Sequence, residues 1–332
     1  MKNIIQNEAG NLIETDFLQR KSSDSETLFS LGNGKMFQQG NFEEFFSGET
    51  VSGSYTKGLD DSIYENSGAW KMPYNPLAKM MINTPDWTSI VLRLNDEIVD
   101  LNVSKVTNFS QVLNVRKASL ERIFDLETPR GHQINISTKR FISFDELHTA
   151  VISYNIRSLN FEGRISLMPV LNGDVTNDYT KLNQLRWNVL QTRTQRDVAH
   201  IWTQVRLHDF HTCPAMSYSF FKNNEEIKSI AAKIEKEKVA GYSVGADVRN
   251  GDRLTLYKYV ALLNSSEFPR NTLAERACEL SLFARQSGWN ALFDAHLHAW
   301  NNICKAITEK SQLSTEKENE MLLHLLNQYC KY

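Results

Sequence analysis

The sequence has few of the features that mark specialised protein classes. It has only four cysteines and no C-x-x-C pair, so a structural zinc site built from paired thiolates is not expected. Its formal net charge is −2, with lysine and arginine spread along the chain, which argues against a nucleic-acid or membrane partner. It has no secretory signal and no apolar run long enough to span a bilayer. These absences favour a cytoplasmic globular protein with reduced thiols.

Short runs of β-forming residues, separated by turn residues, occupy the chain as far as residue 268. Candidate hairpin turns occur at Asn95-Asp96, at Pro129-Arg130-Gly131 and at Asn250-Gly251. No helical pattern lies between the strands, although a parallel α/β fold would require one. The sequence therefore predicts a mainly β protein, with a large antiparallel β-sandwich over residues 1–268.

The pattern changes at Pro269. Apolar residues then recur at helical spacing in two segments, the first ending at Gly288, and they predict a helical linker over residues 269–314. A third amphipathic helix is predicted over residues 315–332, with an apolar stripe made of Leu322, Leu325, Leu326 and Tyr329. We expect this stripe to pack back on the linker helices, to pair with another copy, or to form an association patch.

The densest glycine cluster in the first part of the chain is ETLFSLGNGKMFQQGNFEE, residues 26–44. A phosphate-binding loop needs Lys-Ser or Lys-Thr after its glycines and a helix behind them, but here Lys35 is followed by Met36. We predict instead a strand over residues 28–31 and a tight turn at Asn33-Gly34, with positive φ at the glycine.

The cluster ends in two adjacent carboxylates, Glu43 and Glu44. On a strand they would point to opposite faces, so they are not expected to flank one scissile bond together. Solvated or capping roles are the favoured interpretation.

Histidine and tryptophan offer weaker candidates for binding sites. His208 and His211 are three residues apart, and His296 and His298 would lie on different faces of a helix, so ordinary surface or core roles are favoured over a metal site. A sugar-stacking platform is conceivable for tryptophan, but burial in the core is favoured for Trp70, Trp87, Trp187, Trp202, Trp289 and Trp300.

The glycine cluster also carries a family resemblance. It is similar to a signature of the N-terminal domain of glycoside hydrolase family 65, the family of maltose, trehalose and kojibiose phosphorylases. The matching positions are Glu26, Leu28, Phe29, Leu31, Gly32, Asn33, Gly34, Gly40, Glu43 and Glu44. Later segments resemble the family through Asn83, Pro85, Trp87, His296 and Trp300. Three positions depart from the pattern: Phe37 replaces the usual Gly, Gln39 the usual Arg and Asp86 the usual Asn.

The resemblance implies an architecture that is larger than this chain. Family members have a β-sandwich (a super-sandwich), linker helices and a catalytic (α/α)6 barrel, and residues 315–332 resemble the first barrel helix. The general acid and the phosphate-binding residues would lie in the barrel, so no catalytic, cofactor or metal role is assigned to this chain. We therefore expect a fragment or truncated product of a homodimeric enzyme that uses inorganic phosphate as co-substrate and meets its disaccharide through the barrel.

One segment of the sandwich is a candidate for contact with that substrate. Residues 64–81 are rich in Gly, Pro and aromatic residues, and Trp70, Lys71 and Tyr74 are proposed to form one wall of the site. A plain surface connection is an equally good interpretation. The alternative for the whole chain is a stand-alone carbohydrate-binding or scaffolding sandwich. A coding region that encodes no catalytic barrel after residue 332 would favour this alternative.

Overall fold

The structure is a computed structural model that describes residues 4–8, 10–17, 23–50, 52–58, 83–175, 187–206, 209–228, 231–308 and 315–329. In these ranges the strands are β1 (Ile4–Gln6), β2 (Leu12–Glu14), β3 (Leu31–Gly32), β4 (Met36–Gln38), β5 (Ser54–Thr56), β6 (Ile90–Leu94), β7 (Glu97–Ile98), β8 (Lys105–Asn114), β9 (Ser119–Glu127), β10 (Gln133–Ile142), β11 (Thr149–Ser158), β12 (Gly163–Asn172), β13 (Trp187–Thr194), β14 (Ala199–Val205), β15 (His211–Lys222), β16 (Glu225–Glu226), β17 (Ala232–Lys236), β18 (Val239–Val248) and β19 (Arg253–Asn264). The α-helices are α1 (Ser23–Leu28), α2 (Leu273–Thr308) and α3 (Thr315–Tyr329), and 3-10 turns lie at Val115–Lys117 and Arg270–Thr272.

The strands form three antiparallel sheets. The large sheet has the order β1-β2-β8-β9-β10-β11-β19-β15-β14-β13, with β16 paired to β15. The small sheet has the order β17-β18-β12-β6-β7, and β3-β4-β5 form a third sheet. This mostly antiparallel β architecture confirms the fold class expected from the strand patterns.

Alternation along the strands explains why the large and small sheets pack together. In β19 the residues Leu254, Leu256 and Val260 are fully buried. They are separated by even numbers of residues, so their side chains lie on the same inner face of the strand. They belong to the same core cluster as Leu92 of β6 and Leu167 of β12 on the small sheet. The inner faces of two twisted sheets thus share one hydrophobic core.

Two of the three predicted hairpins are confirmed and the third is wrong. Asn95, with φ 52°, joins β6 to β7, and Gly131, with φ 81°, joins β9 to β10. Gly251 also turns the chain with φ 88°, but β18 pairs with β12 and β17 while β19 pairs with β11 and β15. The Asn-Gly turn is therefore the corner where the chain passes between sheets, because turn residues determine the bend and not the partner of the next strand.

The helices differ from the prediction in one place before Pro269. Residues 23–28 form the short helix α1, so the strand expected over residues 28–31 is shortened to β3 and begins at Leu31. Phe29 N–H bonds to the Ser25 carbonyl, and Ser30 Oγ bonds to the Thr27 carbonyl at 2.7 Å, which closes the helix end. The expectation that no helix lies among the strands before Pro269 is wrong for α1 and for the 3-10 turn at Val115–Lys117.

Helix α2 is two helical segments joined at Gly288, where φ is 78° and ψ is 166°. This confirms Gly288 as the end of the first linker helix. Residues of α2 pack on the outer face of the large sheet, where Phe141, Val151 and Tyr259 contact Ala284 and Leu292. The outer face of those strands is therefore covered in the middle of the sheet.

Helix α3 packs back on its own chain. Leu322 and Leu326 are buried, and Leu326 belongs to the main core cluster. The Tyr329 ring lies 5.1 Å from the Phe144 ring and 6.2 Å from the Trp300 ring, measured between centroids. Of the three fates expected for the apolar stripe, the structure shows packing within the chain, against the end of the sandwich as well as Trp300 of α2.

The packing of α3 makes a testable prediction. Leu322→Ala is expected to lower the free energy of unfolding by roughly 2–5 kcal/mol, because it removes buried methyl groups and leaves a cavity. His324→Ala, on the exposed side of the same helix, is the matched control and should change it by about 0.5 kcal/mol or less. Urea unfolding measures both, and equal small losses would show that α3 is not docked.

A second prediction concerns the turn at Gly34, whose φ is 83°. Gly34→Ala is expected to destabilise the protein by roughly 1 kcal/mol or more, because an alanine resists this left-handed conformation. Gly34→Asn should lose less, since asparagine tolerates positive φ better than alanine does. Thermal or urea unfolding of both variants tests this, and a neutral Gly34→Ala would contradict it.

Candidate functional site: the glycine-rich segment and its buried carboxylates

The glycine-rich segment, residues 26–44, folds back on itself at Gly40. Gly40 N–H donates to the Glu26 carbonyl at 2.6 Å. A Cβ at Gly40 would lie 2.8 Å from Phe29 Cβ and 3.0 Å from the Glu26 carbonyl oxygen, so only glycine fits here without displacement. The buried Glu26 carboxylate accepts the Thr50 hydroxyl at 2.5 Å. The segment is therefore a packed structural unit.

Asn33 holds the turn between β3 and β4. Its Oδ1 accepts the backbone N–H groups of Lys35 and Met36, each at 2.9 Å. Its Nδ2 donates to the carbonyls of Ser143 and Leu147 at 2.5 and 2.8 Å. Both donors and both acceptor positions of the carboxamide are used. The predicted tight turn is confirmed, and the N–H groups that a phosphate loop would present are bonded to Asn33 instead.

Beside this turn, residues of the sandwich and of α2 meet in a contact region against which α3 packs, which we call the helix seat: Gly34, Phe144, His296 and Trp300. His296 Nε2 donates to the Lys117 carbonyl at 2.8 Å, and its Nδ1 accepts Phe144 N–H at 3.3 Å. Burial lowers the pKa of His296 to about 4, so the ring is neutral near pH 7. Trp300 Nε1 donates to the Val115 carbonyl at 3.0 Å. These bonds join α2 to the end of the sandwich.

Glu43 and Glu44 meet in a group that we call the ion cluster: Glu43, Glu44, Arg122 and Arg140. Arg122 Nη2 donates to Glu43 at 2.5 Å and to Glu44 at 2.6 Å, and Arg140 Nη1 donates to Glu43 at 2.9 Å. No side chain of the cluster is more than 3% exposed. The expectation that the two carboxylates are solvated or capping residues and diverge is wrong, because residues 43–44 form a bend and not a strand.

The charges of the ion cluster are shielded from water. Burial raises the pKa of Glu44 and lowers the pKa of Arg140, and in each case the opposite charge beside it opposes the shift. Burial and the neighbouring Glu44 raise the pKa of the Tyr154 hydroxyl as well. The carboxylates of the cluster are almost fully buried and are bound to guanidinium groups. Their role is to hold residues 39–44 against β9 and β10.

Arg140 performs that role through backbone atoms as well as through Glu43. It donates to the Asn41 carbonyl at 2.9 Å and to the Gln39 carbonyl at 2.6 Å. Gln39 stands where the family usually has Arg, but Arg140 binds the backbone carbonyl of residue 39. Every residue type has this carbonyl, so the substitution does not remove the contact. Phe37, the second departure, is buried against Tyr55 with ring centroids 5.3 Å apart, and Asp86, the third, accepts Thr88 N–H at 2.8 Å.

The structure brings the remaining predicted residues to separate places. Trp70, Lys71, Tyr74 and His208 lie outside the described residues. His211 is buried, with its Nε2 3.3 Å from Asp209, and His298 is exposed on the opposite side of α2 from His296. Core burial is confirmed for Trp87, Trp187 and Trp300, whereas Trp202 and Trp289 are half-buried.

The described residues contain no group of three or more His, Cys, Asp or Glu side chains placed to hold a metal ion. Nor do the helices described here include one that is long and apolar enough to cross a membrane.

Sequence reasoning missed Arg122, Arg140 and Lys258, although a signal for them exists. Each is a charged residue at an inner-face position of its strand: Arg122 between Leu120 and Phe124 in β9, for example. Strand alternation requires an apolar residue at such positions unless a partner is buried with the charge. A charge in phase with the apolar face is therefore the sequence signal that would have indicated a buried cluster.

Comparisons with known proteins match this fold and its motif. Residues 12–303 match the sequence model described as "Glycosyl hydrolase family 65, N-terminal domain". The chain is 26% identical to an alpha,alpha-trehalose phosphorylase of Thermoanaerobacter brockii over 84% of its own length and 37% of the relative. It is 31% identical to a kojibiose phosphorylase of Halothermothrix orenii over 49% and 20% of the two lengths. A maltose phosphorylase of Bacillus subtilis is 25% identical over 83% and 36%.

A solved structure has the same fold. It comes from the human microbiome, is named provisionally as a kojibiose phosphorylase, and superposes with a TM-score of 0.74 at 18% identity. The match covers 90% of this chain and 38% of that one. The chain thus spans between a fifth and two fifths of the length of these relatives.

The ion cluster predicts a large effect of removing its shared cation. Arg122→Met is expected to lower the free energy of unfolding by roughly 3–5 kcal/mol, because two buried carboxylates lose the guanidinium between them. Arg276→Met is the control: Arg276 pairs with Glu279 at 3.1 Å, but the side chains are 64% and 55% exposed. Such a pair contributes at most about 1 kcal/mol. Similar losses in urea unfolding for both variants would contradict a stabilising role for the cluster.

Proposed function

Since the chain belongs to glycosyl hydrolase family 65, whose N-terminal domain residues 12–303 match, we propose that it is the non-catalytic sandwich of a disaccharide phosphorylase. The substrates would be disaccharides of α-linked glucose, as in the maltose, trehalose and kojibiose phosphorylases to which the chain is similar. The family match over most of the chain is the observation that carries this proposal.

The chemistry of the ion cluster supports the non-catalytic part of the proposal. Cleavage of a glycosidic bond with inversion needs a carboxylic acid that protonates the leaving oxygen and a nucleophile on the opposite face of the sugar. The two adjacent carboxylates of the family motif, Glu43 and Glu44, are bound to Arg122 and closed to solvent. The general acid is therefore proposed to belong to a catalytic barrel, in which phosphate takes the place of the attacking water.

The helix seat supports a second part of the proposal, which is that the sandwich orients the barrel. In the complete enzyme α3 would be the first barrel helix, held by Gly34 and Trp300 against the sandwich. Residues 64–81 would then reach the substrate, with Trp70, Lys71 and Tyr74 as one wall of its site. We also propose that the enzyme is a cytoplasmic homodimer that needs no cofactor besides its co-substrate phosphate.

Activity assays test the proposed division of labour. The 332-residue chain is expected to release neither glucose nor glucose 1-phosphate from maltose, trehalose or kojibiose, with or without phosphate. The product of the whole reading frame, if that frame also encodes a barrel, is expected to form glucose 1-phosphate from one of the three only when phosphate is present. Separate enzymatic detection of glucose and of glucose 1-phosphate measures both.

Other outcomes would change the proposal in defined ways. Turnover by the 332-residue chain would show that it holds a catalytic site of its own. Release of glucose without phosphate by the whole product would replace phosphorolysis by hydrolysis. Disaccharide binding by the chain in calorimetry, combined with a reading frame that encodes no barrel, would favour the stand-alone carbohydrate-binding module instead.

A further inference from the structure

Lys258 is a buried amine in the centre of the sandwich. It lies on β19 between the inner-face residues Leu256 and Val260, and its exposure is 0%. The neighbouring strands place Ile152 and Tyr218 beside it in register. Strand alternation therefore directs this side chain from the large sheet toward the small sheet.

The amine of Lys258 binds the backbone of the opposite sheet. Nζ donates to the Val170 carbonyl of β12 at 2.7 Å and to the Ser89 carbonyl, just before β6, at 2.9 Å. Ser89 and Val170 are themselves joined, because Val170 N–H donates to the Ser89 carbonyl at 3.1 Å. A neutral amine carries two N–H groups, and these two carbonyls satisfy both. The third N–H of an ammonium has no hydrogen-bond acceptor among the described residues.

The charged groups around Lys258 come from several elements. Asp86 and Glu43 act on it directly, and Glu44, Arg122 and Arg140 complete the buried charges of the ion cluster. The phenols that face the same interior are Tyr154, Tyr218 and Tyr242. With Lys258 neutral, three carboxylates outnumber two guanidinium groups by one charge, and a proton on Lys258 balances them. Burial and charge thus act on its proton in opposite directions.

We propose that Lys258 is a proton-linked clamp between the two sheets. The neutral amine holds the Ser89 and Val170 carbonyls and fixes the small sheet against the large one. Uptake of a proton adds a charge buried between the sheets and a third N–H without an acceptor, so the stability of this domain responds to pH.

The direction of the effect follows from burial. Desolvation lowers the pKa of Lys258 to about 7, whereas Asp86 and Glu43 oppose the shift, and in the unfolded chain a lysine has a pKa of about 10.4. Between these values the unfolded chain binds one more proton than the folded chain. Stability therefore rises with pH from about 7 to about 10, and the full penalty for the buried amine is present below 7.

Unfolding equilibria of wild type and Lys258→Met, measured in urea from pH 6 to 9.5, test the clamp. Methionine keeps the length of the side chain but does not titrate. Above pH 7 the unfolding equilibrium constant of wild type is expected to fall about tenfold per pH unit relative to the variant. Lys105→Met, which removes an exposed lysine on β8, is expected to keep the wild-type pH dependence. A wild-type to Lys258→Met ratio that is independent of pH would overturn the proposal.

A second measurement on the wild-type protein applies even if Lys258→Met fails to fold. In protein labelled with carbon-13 at the lysine ε-carbons, one resonance is expected to titrate near pH 7. Amide exchange of β6 and β12, corrected for its intrinsic pH dependence, should slow as the pH rises above 7. If no lysine resonance titrates near pH 7, or if exchange of β6 and β12 is unchanged, the clamp does not exist.

Discussion

The ion pairs between Arg122 and the two carboxylates, Glu43 and Glu44, are the interaction on which the rest of this structure depends. The three side chains are almost fully buried, where an unpaired charge costs several kcal/mol. A bend at residues 43–44 is therefore fixed in position relative to β9, 79 residues further along the chain. Arg140 extends the same constraint to β10 through Glu43 and the carbonyls of residues 39 and 41.

That constraint explains how residues 26–44, which have little regular secondary structure, hold several parts of the fold together. Residues 26–44 are held at their C-terminal end by the ion cluster and near their middle by Asn33. The Asn33 carboxamide bonds both its own turn and the connection from β10 to β11. The turn then presents Gly34 to α3, and the adjacent Phe144 contacts His296 and Trp300 of α2. The sandwich core and the docking of the helices are thus coupled through one short segment, which gives the dense motif a structural role.

Much of the fold follows from local patterns in the sequence, and the candidate site follows from them only in part. Alternation predicted the strands, Asn95 and Gly131 predicted two hairpins, and Gly288 predicted the end of a helix, because each depends on a few neighbouring residues. The turn at Asn33-Gly34 was predicted for the same reason. The buried pairing of Glu43 and Glu44 with Arg122 was not predicted. It depends on whether residues 43–44 extend or bend, and on partners that are distant in sequence.

The sequence by itself determined the fold class, the family and the places where the chain turns, because these are carried by periodicity, by residues with special backbone preferences and by a dense motif. Only the tertiary structure decided that the Asn250-Gly251 turn joins two sheets, that Glu43 and Glu44 share Arg122, and that Lys258 spans the sandwich to the backbone of the small sheet. The physical reason is the same in each case. A turn residue indicates that the chain bends, and a buried charge indicates that a partner of opposite charge lies nearby. Burial and strand order decide which distant strand or side chain becomes the partner.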